Sequence, residues 1–246
     1  MPIKKEDFEF IHLECIDSTN DYAKKLVCES FEKNAIIISD IQTNGRTTKK
    51  ENWISPLGNL YLTIMIKLRE NEERFFPQFS FLTAISVIDA ISEVAGNNFD
   101  IKIKWPNDIL FNVQKLCGIL IEKEGPYAII GIGLNVESSP DKSLTRYPTT
   151  SLFENGIEID KILLSEKIVS HLIKNINICK VSKFESIIKL VKPLMYKMGE
   201  QIFIDVNNKN LSGIFHDIAP NGGLILKTEN EIKTFLSAEL TKENFI

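Results

Sequence analysis

The sequence predicts an α+β protein: a mixed strand-and-helix domain over residues 1–195, then a small β-barrel over residues 196–246. Three observations carry this. Period-two alternation of apolar and polar residues recurs between residues 8 and 136. Two long stretches, Phe79–Ala95 and 160–179, repeat apolar residues at helical spacing. From Tyr196 onward, short alternating runs are separated by Asn- and Gly-rich turns. The chain has 246 residues, 43% hydrophobic and 25% charged, which suits a globular fold with a real core and excludes disorder or a fibre.

Each element has its own signal. Phe8–Ile16 alternates and reads as a half-buried strand, and Asp17-Ser18-Thr19-Asn20 then supplies N-cap residues for a short helix carrying Ala23, Leu26 and Val27. Residues 35–41 are a buried strand. Residues 42–59 are polar, carry a basic cluster and read as a long loop; Leu60 begins the next strand. Gly96 is a C-cap for the helix over Phe79–Ala95. Residues 100–104 alternate, the turn Trp105-Pro106-Asn107-Asp108 follows, and strands are expected at 109–111, 116–122 and 127–136. Ser182-Lys183-Phe184-Glu185 is a capping-box pattern opening a helix that must end near Pro193. The last four strands are placed at Gln201–Val206, 211–219, 223–227 and 231–236.

Composition excludes several functions. Cys15, Cys28, Cys117 and Cys179 are scattered, with no C-x-x-C pair, so neither a disulfide framework nor a thiolate metal site is expected. His12, His171 and His216 share no metal-ligand spacing. Residues 1–10 lack the apolar stretch of a signal peptide, and no run is long enough for a membrane span. A cytoplasmic protein is expected. The formal net charge of -4 argues against nucleic-acid binding. No P-loop, G-x-S-x-G or H-E-x-x-H pattern is present, so the chemistry is not expected to use an enzyme nucleophile.

Three segments stand out. Gly45-Arg46 and Lys49-Lys50 form a loop suited to an anion, with Trp53 nearby; its indole needs a flat or apolar cover. A solvated loop is the plainer reading. Lys104-Trp105-Pro106-Asn107-Asp108 and Lys115 put an amide, a carboxylate and two ammonium groups near one sheet end; a satisfied surface turn is the alternative. Gly131 and Gly133 weaken a strand and imply close approach by a ligand or backbone, or else a bulge.

The order of these motifs is informative. Asp17-Ser18-Thr19-Asn20, Gln42, Gly45-Arg46, Trp53, Lys104-Trp105-Pro106-Asn107-Asp108, Lys115-Leu116-Cys117-Gly118-Ile119-Leu120-Ile121-Glu122 and Gly131-Ile132-Gly133-Leu134-Asn135 follow one another. Together they resemble the biotin protein ligases (biotin–[acetyl-CoA-carboxylase] ligases) over nearly the whole chain, in the monofunctional form without an N-terminal DNA-binding domain. The resemblance implies a mixed-sheet catalytic domain of the biotin/lipoyl ligase, class II synthetase-like type, with a C-terminal SH3-like barrel. It implies biotin and ATP as substrates, with Mg2+, and a biotin carboxyl carrier protein as acceptor. By the same resemblance, Ser18, Thr19, Asn20 and Gln42 hold the ureido ring. Arg46 and Lys115 meet the carboxylate and phosphate, and Gly45, Thr47, Thr48, Lys104 and Asn107 belong to the same binding region. Gly118, Gly131 and Gly133 lie against the ligand, Trp53 covers the adenine and Asn135 bonds its edge. Asp108 orients or deprotonates the acceptor lysine. A homodimer and the metal ligands are left open.

The loop departs from the family pattern, roughly G-R-G-R-R-G-x-x-W. Thr47 and Lys50 replace glycines, Thr48 replaces an arginine, and Lys49 stands for another. Lysine lacks the planar guanidinium fork. Either Lys49 and Lys50 supply the loop's charge, or the adenylate is held loosely, or activity is weak. A biotin-binding sensor and a lipoate–protein ligase are the rival functions.

Overall fold

The computed structural model describes residues 2–48, 51–69, 76, 78–96, 99–181 and 184–245. In chain order the strands and helices are β1 (Phe8–Ile16), α1 (Thr19–Cys28), β2 (Asn34–Gln42), β3 (Gly45–Arg46), β4 (Asn52–Trp53), β5 (Leu60–Lys67), α2 (Phe79–Ala95), β6 (Ile101–Lys104), β7 (Asp108–Phe111), β8 (Gln114–Glu124), β9 (Tyr127–Leu134), α3 (Lys161–Val181), α4 (Glu185–Val191), β10 (Gln201–Val206), β11 (Lys209–Ile218), β12 (Leu224–Lys227), β13 (Ile232–Phe235) and β14 (Glu239–Leu240). A seven-stranded sheet has the order β1-β2-β5-β9-β8-β7-β6. Only β1 and β2 pair in parallel; the remaining neighbours are antiparallel.

Both faces of this sheet are covered, which explains the continuous apolar run in β2. Successive side chains of a strand point to opposite faces. Ile36 and Ile38 join the core built with α2, α3 and α4. Ala35 and Ile37 pack on the other face with Met65, Ile129 and Ala23 of α1. α2 is apolar almost all round and lies largely buried between sheet and α3. Buried Asn175 on α3 donates to Ser86 Oγ on α2 at 3.0 Å, satisfying one polar pair inside that interface.

The C-terminal strands form a five-stranded antiparallel sheet, β13-β12-β11-β10-β14, with a register shift between Phe215 and Asp217. Its inner residues Ile202, Ile204, Phe215, Leu224 and Leu240 are continuous with the main core. Two specific links join residues 196–246 to β6 and the turn after it. Trp105, 1% exposed, donates its indole N–H to Gly222 O at 3.0 Å. The Tyr196 N–H donates to Ile103 O at 2.9 Å.

Most expected elements appear within a residue or two of their predicted ends. Three points differ. Residues 42–59 are not wholly irregular: β3 and β4 pair as a minimal hairpin, Gly45 with Trp53 and Arg46 with Asn52. The glycines of β9 make no bulge, because β9 keeps unbroken register with β5 and with β8. β14 is a two-residue strand that no alternation could announce. Of the capping-box pattern, residues 182 and 183 lie outside the described residues, as do Lys49 and Lys50 of the basic loop; Phe184 caps α4 without a side-chain bond.

Asn59, fully buried ahead of β5, fixes the segment leaving β9. Its Oδ1 accepts from the N–H groups of Val136, Glu137 and Ser138 at 2.9, 3.0 and 3.2 Å, and its Nδ2 donates to Ser138 O at 2.9 Å. Asn59→Ala strands these buried backbone groups and should cost about 3 kcal/mol. Urea unfolding checks this; a loss below about 1 kcal/mol would show that the segment satisfies itself.

Candidate functional site

A cavity of about 570 Å³ opens at one end of the seven-stranded sheet. The N-terminus of α1, the β3–β4 hairpin, the 104–108 turn, β8, β9, the segment 140–149 and one side of the C-terminal sheet all contribute to its wall. Sixteen of the residues expected at the site line it: Ser18, Thr19, Asn20, Gln42, Arg46, Thr47, Thr48, Trp53, Lys104, Asn107, Asp108, Lys115, Gly118, Gly131, Gly133 and Asn135. Gly45 does not. It sits behind the wall, where a Cβ would come within 2.7 Å of Trp53 O and 2.9 Å of Gln42 Nε2 and Ser55 Oγ.

One wall is neutral and polar. Ser18 caps α1, its hydroxyl accepting from the Asp21 N–H at 3.4 Å. Gln42 Oε1 accepts from the Thr19 N–H at 2.9 Å and from its hydroxyl at 3.1 Å, and Gln42 Nε2 donates to Ser55 Oγ at 3.1 Å. The Thr63 hydroxyl lies 2.8 Å from Thr19 Oγ1 and 2.6 Å from Asn20 Oδ1. This is a rigid set of hydroxyls and amides with no net charge, suited to a flat donor–acceptor group.

The floor is made by missing side chains. Gly118 and Gly133 face each other across β8 and β9. A Cβ on Gly118 would lie 2.8 Å from Trp53 Cζ3, and one on Gly133 would lie 2.7 Å from Trp53 Nε1 and Cε2. The indole therefore rests on two bare backbones. A Cβ on Gly131 would lie 2.4 Å from Asn20 Oδ1. The close approach implied by these glycines is thus made in this structure by Trp53 and Asn20. Trp53 Nε1, Asn135 Oδ1 and Thr47 Oγ1 are buried with no hydrogen-bond partner among the described residues. Such groups in a cavity wall are free to bond a ligand.

The charged end centres on Asp108. Its carboxylate meets Lys104 Nζ at 3.0 Å and Lys115 Nζ at 2.8 Å and is 7% exposed. Burial alone would raise its pKa, but the Lys115 and Lys104 charges outweigh burial and hold it at about 2. Lys115 Nζ also lies 5.1 Å from the Trp53 ring centroid. Burial, then the Asp108 charge, pushes the neighbouring Cys117 thiol up, which leaves it inert at neutral pH.

Arg46 is differently placed from a free anion clamp. It makes four hydrogen bonds, from Nε and Nη2 to Asp21 at 2.8 and 2.6 Å and from Nη1 and Nη2 to Glu122 at 3.1 and 2.8 Å. Glu122 also accepts from Lys24 Nζ at 2.5 Å and Asn20 Nδ2 at 2.9 Å. Burial pushes the Glu122 carboxyl up; the bonds from Arg46, Lys24 and Asn20 more than offset this and hold it below its ordinary value. A guanidinium has five N–H donors, so one remains. Sequence reasoning missed Asp21 as a partner. Nor did it mark Arg146, Tyr147 and Glu239, which tie the 140–149 segment to the C-terminal sheet: Arg146 Nη1 meets Glu239 Oε2 at 2.7 Å and Tyr147 Oη donates to Leu240 O at 2.6 Å. Among the described residues, no group of three His, Cys, Asp or Glu side chains is placed to hold a metal, and no helix is long and apolar enough to cross a membrane.

The geometry defines a site for a neutral polar ring beside an anion, floored by an indole on glycines. Residues 12–135 match the model of the biotin/lipoate A/B protein ligase family, and residues 198–240 match the biotin protein ligase C-terminal domain. The bifunctional ligase/repressor BirA of Bacillus subtilis is 28% identical over 94% of this chain and 73% of its own length. The biotin–[acetyl-CoA-carboxylase] ligase of Paracoccus denitrificans is 27% identical over 86% of this chain and 91% of its own. The Aquifex aeolicus biotin protein ligase, solved in complex with biotin and ATP, superposes with a TM-score of 0.83 at 26% identity, over 95% of this chain and 97% of that one. The chain belongs to the biotin/lipoate A/B protein ligase family.

The Asp108 charge is linked to stability. Its folded pKa, about 2, lies below the ordinary 3.8, so its contribution is present above about pH 4 and is lost as pH falls toward 2. The stability gap between wild type and Asp108→Asn, measured by urea unfolding, should therefore narrow from pH 6 to pH 3. An equal gap at both values would show that the two lysines do not hold the carboxylate.

Proposed function

We propose that this chain is an ATP-dependent ligase that forms biotinoyl-5′-AMP from biotin and MgATP and then transfers the biotinoyl group to a lysine of a biotin carboxyl carrier protein. The observation that carries this reading is the joining, in one cavity, of the Thr19–Gln42 hydroxyl–amide wall to the Lys104–Asp108–Lys115 charge cluster across the Trp53 floor. The ureido ring of biotin suits the first, and a carboxylate meeting an α-phosphate suits the second. The two anions must approach each other, and fixed ammonium groups offset their repulsion without reorganisation.

The contacts support the following roles. Lys115 is the cation for the reacting carboxylate and phosphate. Arg46 keeps one N–H donor for the same anions and otherwise anchors the hairpin to α1 and β8. Thr47, Thr48 and Asn107, which donates from Nδ2 to Thr48 Oγ1 at 3.0 Å, form the wall beside them. The orphaned Asn135 Oδ1 and Trp53 Nε1 suit the donor and acceptor edges of adenine. Asp108 orients its two lysines. Its lowered pKa, caused by the Lys115 and Lys104 charges, supports an orienting role over that of a base for the acceptor lysine. Mg2+ enters with ATP, as a hard ion held mainly by phosphate oxygens and water. We further propose a catalytic part over residues 1–195 and a C-terminal part over residues 196–246.

Biotin-dependent ATP–pyrophosphate exchange tests the reading, with lipoate and octanoate as controls. The wild-type chain should exchange with biotin and not with the controls, and Lys115→Ala should lower the rate by about 100-fold while biotin still binds in calorimetry. Exchange with lipoate instead of biotin, or biotin binding with no exchange, would replace the proposed activity with that of a lipoate ligase or a sensor.

A further inference from the structure

The buried cation Lys104 is covered by two aromatic rings, Tyr147 in the cavity wall and Phe245 behind it. Its Nζ lies 4.6 Å from the centroid of Tyr147 and 5.8 Å from that of Phe245. The two rings meet at 4.8 Å, and Phe245 stacks on Tyr196 at 5.8 Å. Phe245 closes the 3-10 turn Lys242–Phe245 at the C-terminal end of the described chain. It does not line the cavity.

This turn is fastened at several points. Asn244 is fully buried. Its Nδ2 donates to Phe203 O at 2.6 Å and Thr241 O at 2.9 Å, and its Oδ1 accepts from the Phe203 N–H at 3.0 Å. Its carbonyl accepts from Tyr196 Oη at 2.7 Å. Tyr147 is held by its bond to Leu240 O. The fastening fixes a ring over Lys104.

Two ring faces attract an ammonium group without competing as acceptors for its bond to Asp108. Lys104 takes Asp108 Oδ2, and Oδ1 is left for Lys115. A chain of contacts therefore runs from the C-terminal turn through Lys104 and Asp108 to Lys115. We propose that Phe245, with Tyr147, is a positioning residue for the ligase reaction: it holds Lys104 on Asp108 so that Asp108 sets Lys115 against the reacting phosphate. This rests on the ligase reading above and adds to it a route by which the C-terminal sheet acts on the chemistry without touching substrate.

Phe245→Leu and Phe245→Tyr test it with two readouts. The first does not depend on activity. Brief acetylation of the folded protein with acetic anhydride, read lysine by lysine by mass spectrometry, should show Lys104 modified about 5-fold faster in Phe245→Leu, with distant Lys161 unchanged and Phe245→Tyr at the wild-type rate. The second is biotin-dependent exchange, where Phe245→Leu should lower kcat about 10-fold with KM for biotin within about 2-fold, and Phe245→Tyr should restore kcat. Unchanged Lys104 acetylation, a kcat equal to wild type, or a loss that Phe245→Tyr does not restore would overturn the proposal. So would a loss falling on KM for biotin. Absence of exchange in the wild type would instead remove the ligase reading on which the proposal stands.

Discussion

A carboxylate buried between two ammonium groups organises this molecule. Taking Asp108, Lys104 and Lys115 out of water is costly, and the arrangement persists because each charge meets its opposite at 3.0 Å or less. The same contacts tie separate pieces together. Lys104 ends β6, Asp108 begins β7 and Lys115 lies near the start of β8, so one cluster fixes three strand ends around the cavity. Trp105, between the first two, is bonded to Gly222 in the turn between β11 and β12. The turn that makes the charge cluster is also the joint between the two sheets.

The opposite side of the cavity follows a different rule. There the ligand wall is built from neutral groups whose hydrogen bonds are nearly all internal, and the space is created by glycines. Gly118 and Gly133 admit an indole, and Gly131 admits the Asn20 amide. A side chain at any of the three would displace a wall residue before it touched a ligand. Arg46 joins this wall to the loop. Two carboxylates already compensate its charge, so the attraction for an incoming anion rests more on Lys115 than on the guanidinium that the motif first suggests.

Much of this was legible in the sequence, for identifiable reasons. β1, α2 and β10 have the ends that alternation or helical spacing predicts, because each is long enough to express its period. Sixteen residues of one cavity wall were recognisable as a set because short local motifs hold most of them. What escaped was non-local or too short for a period. β3, β4 and β14 have two residues each. Asp21 and Glu122 lie 25 and 76 residues from the arginine they bind. Phe245 belongs to no motif, and only the fold places its ring over Lys104. Gly131 and Gly133 announced a close approach but not the side chains that make it, since those come from the α1 N-terminus and the β3–β4 hairpin.

In the proposed reaction the charge cluster brings the biotin carboxylate to the α-phosphate of ATP. The fate of the carboxylate oxygens tests this most directly. With biotin carrying 18O in both carboxylate positions, attack on the α-phosphate leaves one labelled oxygen bridging the mixed anhydride. When the acceptor lysine cleaves the acyl carbon–oxygen bond, that oxygen departs with AMP. Mass spectrometry of the nucleotide after a single turnover on a carrier protein should find one 18O in AMP and none in pyrophosphate. Label in inorganic phosphate with ADP as the nucleotide product, or unlabelled AMP, would contradict the account.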